Sequence, residues 1–191
     1  MMKKGKIIVL SAPSGTGKST IISKIIDDPR LRLEFSISAT SRAPRGVEQN
    51  GREYYFLSHD EFMKRVANDE FVEWEEVYAG TCYGTLKSEV ERVVGSGNNI
   101  IMDIDVKGGV NVKKIFGKDA IDIFIVPPSH DELERRLRGR ATDSEEIIRK
   151  RLDKAEFELG FAPQYTYRVV NDSLDQAVAE VSDIILKATE Q

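Results

Sequence analysis

The apolar positions of this chain fall into short β-branched runs separated by amphipathic stretches. Lys6-Ile7-Ile8-Val9-Leu10 reads as a buried strand that ends at Ser11-Ala12-Pro13. Ser19-Thr20-Ile21-Ile22-Ser23-Lys24-Ile25-Ile26 then places apolar pairs every four residues, the spacing of a helix's buried stripe. Pro29 in Asp27-Asp28-Pro29-Arg30 ends that helix. Phe35 to Thr40 alternates strictly, with Phe35, Ile37 and Ala39 on one side and Ser36, Ser38 and Thr40 on the other, which predicts one strand with a hydroxyl face. Residues 41–53 are polar and turn-rich, and Tyr54 to Leu57 resumes a strand. Ser58 with Glu61 forms a capping box for a helix from Asp60 to Asn68. Glu70 to Val77 predicts a strand and Gly80 to Gly84 a turn.

Leu86 to Val94 is helical by spacing, and Gly95 to Asn99 is a turn. Ile100 to Asp105 reads as a buried strand ending in acid, and Gly108-Gly109 opens a helix to about Phe116. Ile121 to Val126 reads as a fully apolar strand stopped by Pro127-Pro128. Ser129 with Glu132 and Thr142 with Glu145 cap two helices, the second striped by Ile148, Leu152, Ala155 and Leu159. Tyr167 to Val170 is a last strand, and Ser173 with Gln176 caps a final helix striped by Leu174, Val178, Val181 and Ile185. Apolar strands alternating with helices predict an α/β fold, a parallel sheet covered by helices on both faces. The segment between the second strand and Leu86 lacks long apolar runs and predicts a small mixed β insertion.

A length of 191 residues supports one sizeable core. The balance of 28 basic against 32 acidic residues, a net charge of −4, implies no broad nucleic-acid surface. Cys82 is the single cysteine, which excludes an internal disulfide and fits a reducing, cytoplasmic setting. The first apolar run is too short for a signal peptide or a membrane span, so no membrane partner is expected.

Ala12-Pro13-Ser14-Gly15-Thr16-Gly17-Lys18-Ser19 stands between strand and helix, the setting a P-loop requires. Gly15 and Gly17 let successive backbone N–H groups turn inward around phosphate oxygens, and the helix N-terminus adds partial positive charge. Lys18 would reach the outer phosphates and the Ser19 hydroxyl would bind Mg²⁺. The pattern usually starts with glycine, and Ala12 holds that place. Asp103, at a strand tip, fits the second P-loop element, an acid that holds Mg²⁺ directly or through water. Asp105 reads either as a second acid on the same side of the strand or as a helix N-cap ahead of Lys107.

Thr40-Ser41-Arg42-x-x-Arg45-x-x-Glu48-x-x-Gly51-x-x-Tyr54-x-Phe56 puts two arginines and a tyrosine around one turn. With the P-loop, Asp103-Ile104-Asp105 and the arginine-rich stretch Arg135 to Arg140, this pattern resembles the guanylate kinases from about Lys6 to Leu186. The resemblance implies a single domain over 1–191. Its P-loop kinase core would take 1–35, 86–126 and 165–191, a GMP-binding insertion 36–85 and a helical lid 127–164. It implies ATP-dependent phosphorylation of GMP to GDP with Mg²⁺, so that ATP and GMP are the partners, with monomer and homo-oligomer both open.

Carried over by residue, the resemblance gives Arg42, Arg45, Tyr54 and Tyr83 to the GMP phosphate. Glu73 would accept from guanine N1–H and N2–H₂, with hydroxyls from Ser38 and Thr85 (the latter toward O6), and Asp105 would contact the guanosine part. Ala12, Pro13, Ser14, Gly15, Thr16, Gly17, Lys18, Ser19 and Thr20 would hold ATP, and Arg136, Arg140 and Arg151 would close over its phosphates, with Asn171 near adenine. The catalytic set is then Lys18, Arg42, Arg136, Arg140 and Arg151, and the metal falls to Ser19 and Asp103. Gly46-Val47, Thr85 and Val106-Lys107 depart from the family pattern. The acceptor phosphate is mostly dianionic at neutral pH, so no base is required, and neither His59 nor His130 sits in a motif. Two other readings are a catalytically silent binding module, which the intact Gly15, Gly17, Lys18 and Ser19 disfavour, and a kinase for another small phosphate acceptor, which Glu73 with Thr85 would not suit. No Asn-Lys-x-Asp motif supports a GTPase.

Overall fold

In the computed structural model, which describes residues 4–78, 80–139 and 144–190, every residue of the first strand, β1 (Ile7–Ser11), is buried. It leads through the glycine loop into α1 (Lys18–Ile25). Then come β2 (Leu33–Phe35), β3 (Ala39–Thr40), β4 (Tyr55–Phe56), α2 (His59–Ala67), β5 (Phe71–Tyr78) and β6 (Thr81–Leu86). The chain continues through α3 (Lys87–Gly95), β7 (Asn99–Asp103), α4 (Val106–Phe116) and β8 (Ala120–Val126). It finishes with α5 (His130–Arg138), α6 (Glu145–Leu159), β9 (Tyr167–Val170) and α7 (Leu174–Glu190).

Five strands form a parallel sheet in the order β2-β7-β1-β8-β9. Successive side chains of a strand face opposite ways, so β1 feeds two cores. Ile8 and Leu10 pack with Ile21, Ile101, Ile123 and Val181 under α1 and α7. Ile7 and Val9 pack with Val90, Met102, Val112 and Phe124 under α3 and α4. The connections from β1 and β8 diverge to opposite sides of the sheet, which leaves a crevice at the carboxyl end of β1, where ligands of open α/β sheets bind.

A second, four-stranded sheet runs β4-β3-β6-β5 with mixed pairing. Phe62 of α2, capped by the Ser58 side chain, closes it together with Phe71, Cys82 and Leu86. α5 and α6 share a separate small cluster of Leu133, Leu137 and Ala155. Among the described residues, no helix is long and apolar enough to cross a membrane.

Several local expectations are corrected. Phe35 to Thr40 is two strands, because Ser36 N donates to Ile101 O at 3.0 Å in the main sheet while Tyr55 N donates to Ser38 O at 2.8 Å in the second. Side-chain alternation reports which way a residue faces; which sheet takes the backbone is settled by partners far along the chain. Gly80 to Gly84 is largely strand: Gly84 pairs with Trp74, and a Cβ there would meet Glu73 O at 2.6 Å. The strand expected to reach Asp105 stops at Asp103. Ile121 to Val126 lies in one unbroken strand but is not fully apolar: it carries Asp122, buried and bound to Lys113 Nζ at 2.9 Å and to Thr166 N and Oγ1 at 2.8 and 2.7 Å. Thr142 lies outside the described residues, and Ser144 caps α6 by accepting from Ile147 N.

Candidate active site

The loop after β1 is shaped to receive an anion. Gly15 and Gly17 have φ of +90° and +93°, a region that L side chains rarely enter. Gly17 is also the N-cap of α1 and offers no capping side chain, so the first-turn amides of α1 are left for a ligand. Thr16 folds inward, its Oγ1 donating to Pro13 O at 2.8 Å. Its own carbonyl accepts from Asn171 Nδ2 at 2.7 Å. A Cβ on Gly17 would stand 2.4 Å from that same Nδ2. Asn171, expected near adenine, is buried beyond β9 and props the glycine loop from behind. Ala12 is half-buried and packs onto the α1–α7 core, whereas Ser14, Ser19 and Thr20 are exposed.

Lys18 Nζ forms an ion pair with Asp103 Oδ1 at the tip of the neighbouring strand. The two P-loop elements read separately from the sequence are therefore in contact. Ser11 Oγ donates to Ile104 O at 3.0 Å and ties the end of β1 to the turn after β7. Glu158, not singled out in the sequence, is buried on α6 near Lys18, Lys154 and Asp105. Burial raises its carboxyl above the ordinary value while Lys154 and Lys18 pull it down.

On the second sheet, Arg42, Tyr54 and Tyr83 come together as expected. The Arg42 guanidinium carbon lies 4.9 Å from the Tyr54 ring centre, and the Tyr54 and Tyr83 rings meet edge to face at 5.9 Å. Glu48, assigned no role from the sequence, holds Arg42 in a two-point fork at 2.7 and 2.8 Å and accepts from Arg45 N at 2.7 Å. Those bonds hold the Glu48 carboxyl down at about 2. Arg45 itself is exposed.

Strand pairing sets Glu73 opposite Thr85. Burial pushes the Glu73 carboxyl up to about 7, against a downward pull from Thr85 and with a further push from Asp105 and Glu75. The Thr85 hydroxyl is buried and stands near the carboxylate, yet completes no hydrogen bond. Asp105 is the N-cap of α4: its Oδ1 accepts from Lys107 N at 2.7 Å and Gly108 N at 3.0 Å. Its free Oδ2 and Glu73 Oε2 lie 3.4 and 3.7 Å from where a Cβ of Gly108 would be. The missing side chain leaves a cleft of about 440 Å³ between β5 and α4, lined by Glu73, Glu75, Asp105, Lys107 and Asn111. Ser38 is half-buried and bonds β4 through its carbonyl.

Leu133 and Leu137 of α5 rest on the glycine loop, since a Cβ on Gly15 would meet Leu137 Cδ2 at 2.9 Å. Arg136 donates to Glu132 Oε1 at 2.7 Å, and Glu132 is held down at about 2 by Arg135 and Arg136. Arg151 is half-buried on α6 and has an interaction partner. Arg140 lies outside the described residues.

The Guanylate kinase family model matches residues 4–188. A guanylate kinase of Porphyromonas gingivalis is 56% identical over 180 residues, covering 94% of this chain and 96% of that relative. One from Bacteroides fragilis is 53% identical over 182 residues, covering 95% and 89%. The crystal structure of guanylate kinase from Anaplasma phagocytophilum superposes with a TM-score of 0.71 at 29% identity, covering 99% of this chain and 88% of that one.

Proposed function

The chain belongs to the guanylate kinase family and phosphorylates GMP with ATP, and we propose that the glycine loop and Lys18 hold the donor while the Arg42–Tyr54–Tyr83 group holds the acceptor phosphate. One observation carries this division of labour: the chain has two separate anion-holding stations, an uncapped helix start with Lys18 on the core and a guanidinium in an aromatic cage on the insertion. Segment 36–85 is then the GMP-binding part, 127–164 the lid, and the rest the nucleotide-binding core. Arg136, Arg140 and Arg151 serve the donor phosphates from the lid. Cytoplasm is the compartment this reading favours, with Cys82 kept as a thiol.

Ser19 and Asp103 are the residues that would hold Mg²⁺. Both offer hard oxygens, and among the described residues no group of three or more His, Cys, Asp or Glu could hold a metal ion. That fits a cation bound by one or two protein oxygens together with substrate phosphates. When bound, Mg²⁺ supplies charge neutralisation at the β- and γ-phosphate oxygens.

The obstacle to reaction is repulsion between two anions brought end to end. The acceptor phosphate is already mostly ionised at neutral pH, so no side chain has to take its proton. Lys18 and the lid arginines neutralise the donor, and Arg42 and Arg45 the acceptor, so that the two can meet in line. The lid helices over Gly15 exclude water as a competing acceptor. Glu73 selects the base, because adenine presents an acceptor at N1 and a C–H at position 2 where guanine presents the N1–H and N2–H₂ donors, and unpaired buried polar groups discriminate by about 10⁴–10⁵. A coupled assay of ADP release with GMP, dGMP, AMP, UMP and no acceptor tests the reading. Release confined to guanine nucleotides is expected, release with AMP would overturn the base pocket, and release indifferent to acceptor would mark an ATPase.

Glu73 also imposes a pH dependence on stability. Its carboxyl rises from 4.5 to about 7 on folding, so between those values the folded state binds more protons than the unfolded one, and stability falls as pH rises through the window. The Glu73→Gln protein is expected to outlast the parent in urea at pH 8, by as much as about 3 kcal/mol, and to match it near pH 4. Equal stability at pH 8 would show that the carboxylate is not strained in the free protein.

A further inference from the structure

The insertion joins the core by two chain crossings, and one buried carboxylate stands at both. At the first crossing, Ser36 N bonds the main sheet and Ser38 O bonds the second. Between them the Ile37 amide donates to Glu89 Oε1 at 3.1 Å. At the second crossing β6 gives way to α3 at Leu86 and Lys87, and Glu89 follows in the first turn of α3. Its Oε2 accepts from the Tyr55 hydroxyl at 2.9 Å. Arg92 Nε and Nη2 donate to its two oxygens at 3.0 Å, and Arg92 Nη2 also reaches Glu34 of β2 at 2.6 Å. Glu89 is 2% exposed. Burial would raise its carboxyl, but Arg92, the Ile37 amide and the Tyr55 hydroxyl outweigh burial and leave it below the ordinary value.

Glu89 thus grips the core through Arg92 and Glu34, and the insertion through Ile37 and Tyr55. Ser36 Oγ, in the same crossing, is buried without a hydrogen-bond partner and supplies no second tether. Each insertion partner adjoins a residue assigned to GMP. Ile37 precedes Ser38, and Tyr55, the first residue of β4, follows Tyr54. Neighbouring side chains on a strand face opposite ways: Tyr55 turns to Glu89 while Phe56 beside it, together with Tyr54, turns to Arg42.

We propose that Glu89 is a positioning residue that fixes the tilt of the insertion against the core and so sets the gap across which the phosphoryl group passes. The inference rests on the reading that the insertion holds GMP. Alignment is sensitive to such tilts, since a misplacement of about 1 Å arising far from the chemistry can lower the rate about 10²-fold.

Steady-state kinetics of the full chain and of Glu89→Gln and Tyr55→Phe test it, with each substrate varied at saturation of the other. Glu89→Gln is expected to lower kcat/KM for GMP about 10- to 100-fold, and Tyr55→Phe, which removes one hydroxyl, about 3- to 10-fold. The KM for ATP should stay within about twofold of the parent in both. A merely structural role would shift both substrates alike. Variants whose kcat/KM for GMP stays within about twofold of the parent, or whose ATP KM moves with the GMP value, would overturn the proposal. Tyr55→Phe alone decides it if Glu89→Gln does not fold. A parent inert toward GMP would overturn the functional reading and this inference with it; an active parent with unaltered variants would overturn this inference alone.

Discussion

Lys18→Ala is expected to form GDP at least about 10³-fold more slowly than the parent while its thermal unfolding stays close to the parent's. Removing a single preorganised donor from a developing anion typically lowers turnover by about 10²–10³. Here the lost group is a full charge at the phosphate loop, beside two amide-lined glycine turns that have no other cation on the loop itself. The fold should survive because Lys18 belongs to none of the hydrophobic clusters that build the core, and Asp103, about a third exposed, can turn to solvent once its partner is gone. Single-turnover formation of labelled GDP, read beside a melting curve, separates the two effects. Turnover within about tenfold of the parent would remove Lys18 from the reaction.

Arg42→Ala should lower kcat/KM for GMP by about 10²–10³, mainly through KM, with the KM for ATP unchanged. Two losses combine. The fork that would grip the phosphate disappears, and Glu48 loses the partner that meets it at 2.7 and 2.8 Å. An uncompensated carboxylate at the acceptor site then repels the incoming dianion. Adding Glu48→Ala to Arg42→Ala should therefore recover part of the lost affinity for GMP, a non-additivity expected of residues in one network. Titration of GMP into the single and double variants measures it; strictly additive losses would show that Glu48 does not face the acceptor phosphate.

The same pair shows where sequence reading stops. The family resemblance singles out Arg42, Arg45 and Tyr54, but Glu48 belongs to the same turn and its role follows only from which way the turn closes. Asp105 admitted two readings, a second acid on the strand or a helix N-cap, and the structure gives the N-cap, beyond the end of β7, with its second oxygen facing the cleft beside Glu73. Asn171, expected near adenine, has a further place that its sequence position does not announce: its amide donates to Thr16 O and braces the glycine loop. Glu89 left one legible trace, an acid one turn before buried Val93 on the helix's buried stripe.

By itself the sequence determined what is local. Apolar periodicity marked the strands and helices, Ser58 and Ser129 with their acids three residues on marked helix starts, and the glycine loop between strand and helix named the donor site. Each of these is a preference of consecutive backbone units, written within a few residues. Only the tertiary structure decided that Lys18 meets Asp103, that residues 36–38 hand the chain from one sheet to another, and that Glu73 loses enough water to hold a proton near neutrality. Those outcomes depend on distance, burial and opposing charge between segments remote in the chain, and no run of neighbouring residues encodes them.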